Sequence, residues 1–256
     1  MLVNNLKNKY WALLNKLENV RNPRETVLTP HDWKDAIKRI MPNSDKIVIV
    51  DGGAHDGVFT RDFSKHFNNI EVHAFEPNTE LTSELRNNLA ALLHKINHVA
   101  LGADSGHTTF HIGTSPMTSS VLPSNTNGQN FYHDVIHTRE TRSLPMVSLD
   151  DYALKNNLKH IHILKLDLQG YELQALKGAR ELLENRQISA IYTEVNFMPF
   201  YEGSALFSDI DQFLKQYDYR LHNLYNLATR NCNNQLTGGD ALFIPGATQQ
   251  SCTIAA

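Results

Sequence analysis

Ile47-Val48-Ile49-Val50-Asp51-Gly52-Gly53-Ala54-His55-Asp56-Gly57 is the stretch whose reading decides the fold. Four β-branched residues in a row suit a strand buried on both faces, as in a parallel sheet covered by helices. The run ends at an aspartate and turns through Gly52 and Gly53. Glycine permits a tight strand-to-helix turn and lets a ligand approach the main chain. Gly57 lets the next helix start close to the sheet, so Gly57–Phe67 reads as a helix and Ile70–Phe75 as a second strand.

The same alternation continues on the C-terminal side. Asn78 suits the N-cap of a long helix to about Leu93, with a strand ending near Ala100 after it. His160–Leu166 and Ile188–Val195 read as further strands, separated by one helix over Gln169–Leu183. Ser204–Gln216 is another helix, and Tyr219–Leu224 with Gly239–Ile244 form a closing pair of strands. Strands separated by helices, joined by right-handed crossovers, predict a doubly wound, mostly parallel, Rossmann-like α/β sheet. Gly113–Ser143 breaks this rhythm and reads as a long loop, functional or mobile. On the N-terminal side, Leu2, Leu6, Tyr10, Leu13, Leu14 and Leu17 recur at helical spacing, and Thr29-Pro30 introduces a short helix over His31–Ile40. The expected organisation is a helical appendage over 1–44, one domain over 45–245 and a loose tail over 246–256.

Composition narrows the class. The 256 residues hold 24 Lys+Arg against 27 Asp+Glu, a net charge of −3, and are 41% hydrophobic. That excludes a disordered chain and argues against a nucleic-acid partner, which usually meets a basic excess. No apolar run approaches the roughly 18 residues of a membrane span, and no secretory leader precedes the first helix pattern. A cytoplasmic enzyme with no membrane span is expected, with homo-oligomerisation left open. Cys232 and Cys252 lie in polar or tail-like sequence, which suits neither a disulfide framework nor a zinc site.

Two acidic positions suggest a nucleoside ligand. Glu76, in Phe75-Glu76-Pro77-Asn78, ends the second strand 25 residues after Asp51. A carboxylate there accepts two hydrogen bonds from a ribose diol, a device common to NAD and S-adenosylmethionine enzymes. A dinucleotide needs G-x-G-x-x-G at a helix N-terminus. Here the turn is D-x-G-x-x-x-G, and Asp51 would repel a pyrophosphate yet hold the ammonium of a methionyl group. Gly53 and Ala54 would then seat the methionyl part, and Glu76 with Pro77 the ribose.

A second constellation lies on the later strands. Lys165 and Asp167 share one strand face, as do Tyr192, Glu194 and Asn196, on strands expected to be neighbours. Converging carboxylates beside a methyl donor can orient and deprotonate a hydroxyl, or bind Mg²⁺ or Ca²⁺ to do so. Lys165 is expected in an internal ion pair. Among the 13 histidines, His133 and His137 are four apart but lack a third zinc ligand, and His55 is expected to contribute backbone only.

Val50–His55, Phe75–Asn78, Leu164-Lys165-Leu166-Asp167-Leu168-Gln169-Gly170-Tyr171-Glu172 and Gly239-Asp240-Ala241-Leu242-Phe243, in this order, resemble the FkbM-type class I methyltransferases over about residues 45–245. The resemblance implies a seven-stranded sheet with one antiparallel strand. It also implies O-methylation of a hydroxyl, frequently on a sugar or natural product, with S-adenosyl-L-methionine as donor. It points to Asp104 for the adenine and to the Ser119-Ser120 pair, Ser120 above all, near the site. The usual D-x-E-G-x-E reads D-x-Q-G-x-E here, which removes Gln169 as a base and leaves Asp167 and Glu172. Asp167 and Glu194 are the expected catalytic pair, and a small-molecule or glycan hydroxyl the expected acceptor. The rivals are an NAD(P)-dependent oxidoreductase and a non-catalytic glycan-binding module.

Overall fold

The computed structural model describes residues 33–41, 46–229 and 233–246. The expected Leu2–Leu17 helix, Cys232, Cys252 and the tail after 246 lie outside the described residues. Trp33–Ile40 forms helix α1, with Trp33 and Ile37 buried one turn apart. It belongs to the unit Met1–Ile40, distinct from the body Met41–Ala256.

In the body, β1 (Ile47–Gly52) leads into α2 (Val58–Ser64), β2 (Ile70–Phe75), α3 (Thr82–Leu89) and β3 (Leu93–Asn97). There follow β4 (Ala100–Leu101), β5 (Gly106–Gly113), α4 (Thr126–Tyr132), β6 (Thr138–Val147) and α5 (Leu149–Lys155). The chain then runs through β7 (Ile161–Leu166), α6 (Glu172–Lys177), α7 (Arg180–Glu184) and β8 (Ile188–Asn196). It ends with α8 (Phe207–Lys215), β9 (Tyr219–Thr229) and β10 (Leu236–Pro245).

Seven strands form one sheet in the order β3-β2-β1-β7-β8-β10-β9, with β10 antiparallel to both neighbours and the other pairings parallel. The predicted α/β class and the closing antiparallel pair are therefore present. The strand order reverses between β1 and β7, and a crevice opens there at the carboxyl ends. All six residues of β1 are buried, which explains its unbroken β-branched run. One face of the sheet carries Val50, Leu164, Leu166, Ile191 and Phe243 against Leu176, Leu183, Ile210 and Leu214 of the helices. Alternate residues Asp51, Lys165 and Tyr192 fall on the other face, where α2 supplies Thr60 and Phe59. Among the described residues no helix is long and apolar enough to cross a membrane.

Two expectations are corrected and one helix is added. Gly113–Ser143 is not one loop, because its ends are ladder-paired strands β5 and β6, which form a second sheet ordered β4-β6-β5. Most β6 side chains are exposed or only half-buried, so no hydrophobic alternation marked it. Gln169–Leu183 is two short helices, interrupted at Gly178, whose added Cβ would stand 2.0 Å from the Gly102 carbonyl oxygen. Helix α5 went unread, although Ser148 caps it by accepting the Asp151 N–H at 3.2 Å.

Candidate active site

The turn after β1 is built against the ends of its two neighbours. Gly53 has φ +72°, and a Cβ there would lie 1.9 Å from the Asp167 carbonyl oxygen, so only glycine fits. The amides of Gly53 and Ala54 both donate to the Phe75 carbonyl at 3.0 Å. His55 follows at φ +50°, which aims its N–H at Glu76 Oε2, 2.8 Å away. The Asn78 N–H donates to Glu76 Oε1 at 2.7 Å. The Glu76 carboxylate is thus buried yet fixed by two backbone donors. Burial pushes its carboxyl above the usual range, and the two N–H groups pull against that.

Gly53, Ala54, Glu76 and Pro77 all line a cleft that encloses about 990 Å³ including its open mouth. Val99, Leu101, Phe110 and Tyr171 add an apolar stretch to its lining. Each Glu76 oxygen retains a lone pair for a ribose hydroxyl, and apolar lining suits a nucleobase. His55 also lines the cleft, and its Nε2 is buried without a hydrogen-bond partner among the described residues. A ligand that supplies the partner removes that cost. The donor set, a buried carboxylate with free lone pairs beside apolar lining, therefore fits S-adenosylmethionine.

Three expected cofactor contacts are placed differently. Asp51 is fully buried beneath α2 rather than lining the cleft. Its Oδ1 lies 3.1 Å from Lys165 Nζ, and its Oδ2 accepts from Thr60 Oγ1 at 2.6 Å. Lys165 stands on the same sheet face, lines the cleft and takes the carboxylate as an ion pair, while Thr60 of α2 closes it off. Lys165 in turn donates to the Gly53 carbonyl at 2.6 Å, which ties the expected ion pair to the turn. Burial works against the Lys165 ammonium, but Asp51 and Asp167 outweigh it and raise its pKa. Asp104 is exposed in the bend after β4 and does not line the cleft. Ser120 is buried and holds the loop to the β7 end, donating to the Gln169 carbonyl at 2.9 Å and accepting the Leu122 N–H at 3.1 Å. Its neighbour Ser119 lines the cleft.

On the β7–β8 side, Asp167 lines the cleft with a half-exposed side chain, and Glu194 stands on the adjacent strand. Gln169 Nε2 donates to Asp167 Oδ1 at 2.8 Å and to Glu194 Oε2 at 3.2 Å. Asp240 is the register partner of Glu194 across β10, and it accepts from Tyr192 and Asn226 at 2.9 and 2.7 Å. Burial, then the charges of Asp167, Glu172 and Asp240, push the Glu194 carboxyl well above the usual range, against Lys165. Glu172 serves the backbone, accepting the N–H groups of Leu168 and Gly170 at 2.7 and 3.1 Å. It shapes the turn in which Gln169 and Gly170 take φ +53° and +93°. Burial pushes its carboxyl up to about 7.

Above the acids, Phe131, Tyr132 and Phe200 pack with centroid separations of 4.9 to 5.1 Å. Burial, then the charge of Glu194, raises the pKa of Tyr132, which remains 39% exposed. Tyr132, Tyr201 and Asp240 escaped the sequence reading of the site, in which Gln169 figures only as a residue unfit to be a base. Gln169 and Asp240 carry a signal, their places in the third and last motifs. His133 and His137 are exposed and do not line the cleft. Among the described residues no three His, Cys, Asp or Glu side chains stand together as a metal site, so the expectation of a divalent cation gains no support.

Comparison with known proteins bears on this geometry. The model of the methyltransferase FkbM domain matches residues 51–221. The chain is similar to the 2-O-methyltransferase NoeI of Sinorhizobium fredii, 25% identical over 203 residues that cover 73% of this chain and 76% of that one. Solved structures with a similar fold include a putative RNA methyltransferase from Pyrococcus horikoshii, at 13% identity and TM-score 0.43, covering 86% of this chain and 88% of that one. A TehB-like S-adenosylmethionine-dependent methyltransferase from Corynebacterium glutamicum matches at 10% identity and TM-score 0.41, covering 94% and 98%.

Proposed function

The chain belongs to the FkbM methyltransferase family, and from that premise we propose that it methylates a hydroxyl oxygen of a sugar or sugar-like acceptor. It is an S-adenosylmethionine-dependent methyltransferase, and its residues divide the work. The bound donor supplies a sulfonium-activated methyl group. Glu76, the Gly53–His55 turn and the apolar lining of Val99, Leu101 and Phe110 would hold that donor. What remains for the protein is to align the acceptor oxygen, exclude water and take one proton.

The observation that carries the reading is the Asp167–Glu194 pair beside the cleft. Burial and neighbouring charge raise the proton affinity of Glu194 well above that of an ordinary glutamate, which favours uptake of the acceptor proton. Asp167 is placed to accept a hydrogen bond from the acceptor hydroxyl or a neighbouring one. Tyr132, partly exposed and near enough to feel the charge of Glu194, adds an aromatic ring close to this acid, a combination that suits a ring with an apolar face and a polar rim. The similarity to a protein named as a 2-O-methyltransferase supports oxygen as the methylated atom. The net charge of −3 supports a small acceptor over a nucleic acid.

The test is methyl transfer from radiolabelled S-adenosylmethionine to a panel of mono- and oligosaccharides, with RNA and phenols alongside. Label in saccharides alone is the expected result. Label in RNA or phenols alone overturns the acceptor class, and label in nitrogen rather than oxygen overturns the reaction type.

A further inference from the structure

The two acids are joined by a residue that has no proton to give or take. The Gln169 amide nitrogen reaches Asp167 Oδ1 and Glu194 Oε2 at 2.8 and 3.2 Å, and its oxygen accepts from the Tyr201 hydroxyl at 3.0 Å. This set fixes the amide orientation, because a flipped amide would point its oxygen at two carboxylates and its NH₂ away from them. Its backbone is held too, at φ +53° in the turn bonded by Glu172 and Ser120. Tyr201 is buried, and its hydroxyl also reaches the Thr118 carbonyl at 3.2 Å, next to the cleft residue Met117.

We propose that Gln169 is the positioning residue of the acceptor side: its amide nitrogen clamps Asp167 to Glu194 and keeps the pair able to accept a proton. The inference rests on the reading of Glu194 as the base. The groups facing the pair are unfavourable to two negative charges. Glu172 from α6 and Asp240 from β10 repel them, the buried Tyr201 and the partly exposed Tyr132 add phenols, and Lys165 is the cation that opposes. One donor shared by both acids stabilises the charged forms of both. A carboxylate in place of the amide would add a charge and delete the donor, so both changes would raise the proton affinity of Glu194.

The experiment follows the Glu194 carboxyl directly and needs no acceptor. Full-length chain labelled with ¹³C at glutamate Cδ is titrated by NMR with S-adenosylhomocysteine bound, and Glu194 is assigned by its loss in Glu194→Gln. The Glu194 midpoint should rise by about one pH unit or more in Gln169→Glu, and by less in the uncharged Gln169→Met. Midpoints in both variants equal to that of the unaltered chain overturn the clamp. Circular dichroism and the urea midpoint confirm that each variant folds, because Gln169 lines the cleft and ligand affinity is not independent of it. The base reading fails separately. A Glu194→Gln chain with full transfer to a saccharide removes the base, and a midpoint that still moves leaves the clamp in place.

Discussion

The two walls of the cleft hold their acids by opposite means. On the β1–β2 wall each carboxylate has a dedicated partner. Glu76 has two backbone N–H groups, and Asp51, buried behind the wall, has Lys165 and Thr60. On the β7–β8 wall, Asp167 and Glu194 share one glutamine amide, with Asp240 and Glu172 close enough to repel them. The first wall is a preorganised receptor whose charges are satisfied before the ligand arrives. The second keeps a carboxylate short of donors, which is what a group that must take up a proton requires. Binding and proton transfer therefore separate by strand, and substitutions can test the division.

Glu194→Gln makes the largest cut. Loss of a positioned base lowers transfer by about 10²–10⁴-fold, whereas affinity for S-adenosylhomocysteine holds, because Glu194 is not part of the cleft lining. Equal losses in both measurements would erase the distinction between the walls. Gly53→Ala is next. It collides with the Asp167 carbonyl and forces a side chain to φ +72°, at a cost of about 2–4 kcal/mol in urea unfolding. It should abolish both functions, because this turn is the seam between the walls. Glu76→Gln affects one wall alone. A charged acceptor for a ribose diol contributes about 1.5–3 kcal/mol, so affinity for S-adenosylhomocysteine falls about 10–100-fold in calorimetry.

The walls differ also in how far they could be read from the chain. Gly53, Glu76 and Pro77 announce themselves because local chemistry requires them, a turn with positive φ and an acid at a strand end. Asp51 was read to the wrong partner. Its residue type was informative, but whether it reaches the cleft depends on Lys165 and Thr60, which arrive from β7 and α2 and cover it. The acceptor wall draws Gln169, Glu194, Tyr201 and Asp240 from separate elements. Their convergence follows from strand order and from a positive-φ turn at a non-glycine residue, neither of which has a local signature. The second sheet was missed for a related reason. With little of β6 buried, its strand character lies in backbone pairing to β5 rather than in apolar alternation.

Proton uptake gives a quieter test of the second wall. Glu194 and Glu172 bind protons more tightly folded than unfolded, so the native state carries more protons than the unfolded chain above the ordinary glutamate value. Stability from these groups is full below about 4.5 and is lost as pH rises towards about 7 for Glu172 and through the raised Glu194 value. Exposed acids with lowered values, such as Glu80 and Glu140, slope the other way, so the difference between chains is the useful quantity. Glu194→Gln should be more stable than the parent at pH 8, and the gap should narrow towards pH 5. A gap that does not change with pH would mean that Glu194 titrates normally.

The smallest expected effect tests whether the first wall is as complete as its hydrogen bonds suggest. The His55 N–H serves Glu76 whatever the side chain, but the ring leaves Nε2 buried and unpartnered among the described residues, with Nδ1 3.5 Å from Asp56. Phenylalanine has a similar shape, would carry the same positive φ and lacks the nitrogens. His55→Phe should therefore leave the ligand-free urea midpoint unchanged or higher, because an unsatisfied buried nitrogen has been removed. Affinity for S-adenosylhomocysteine should meanwhile fall about 3–10-fold, the worth of one hydrogen bond of about 0.5–1.5 kcal/mol. Opposite signs in the two measurements would mark Nε2 as an atom held ready for the ligand. If affinity is unchanged, the nitrogen is satisfied by water in both states, and the receptor wall is complete without it.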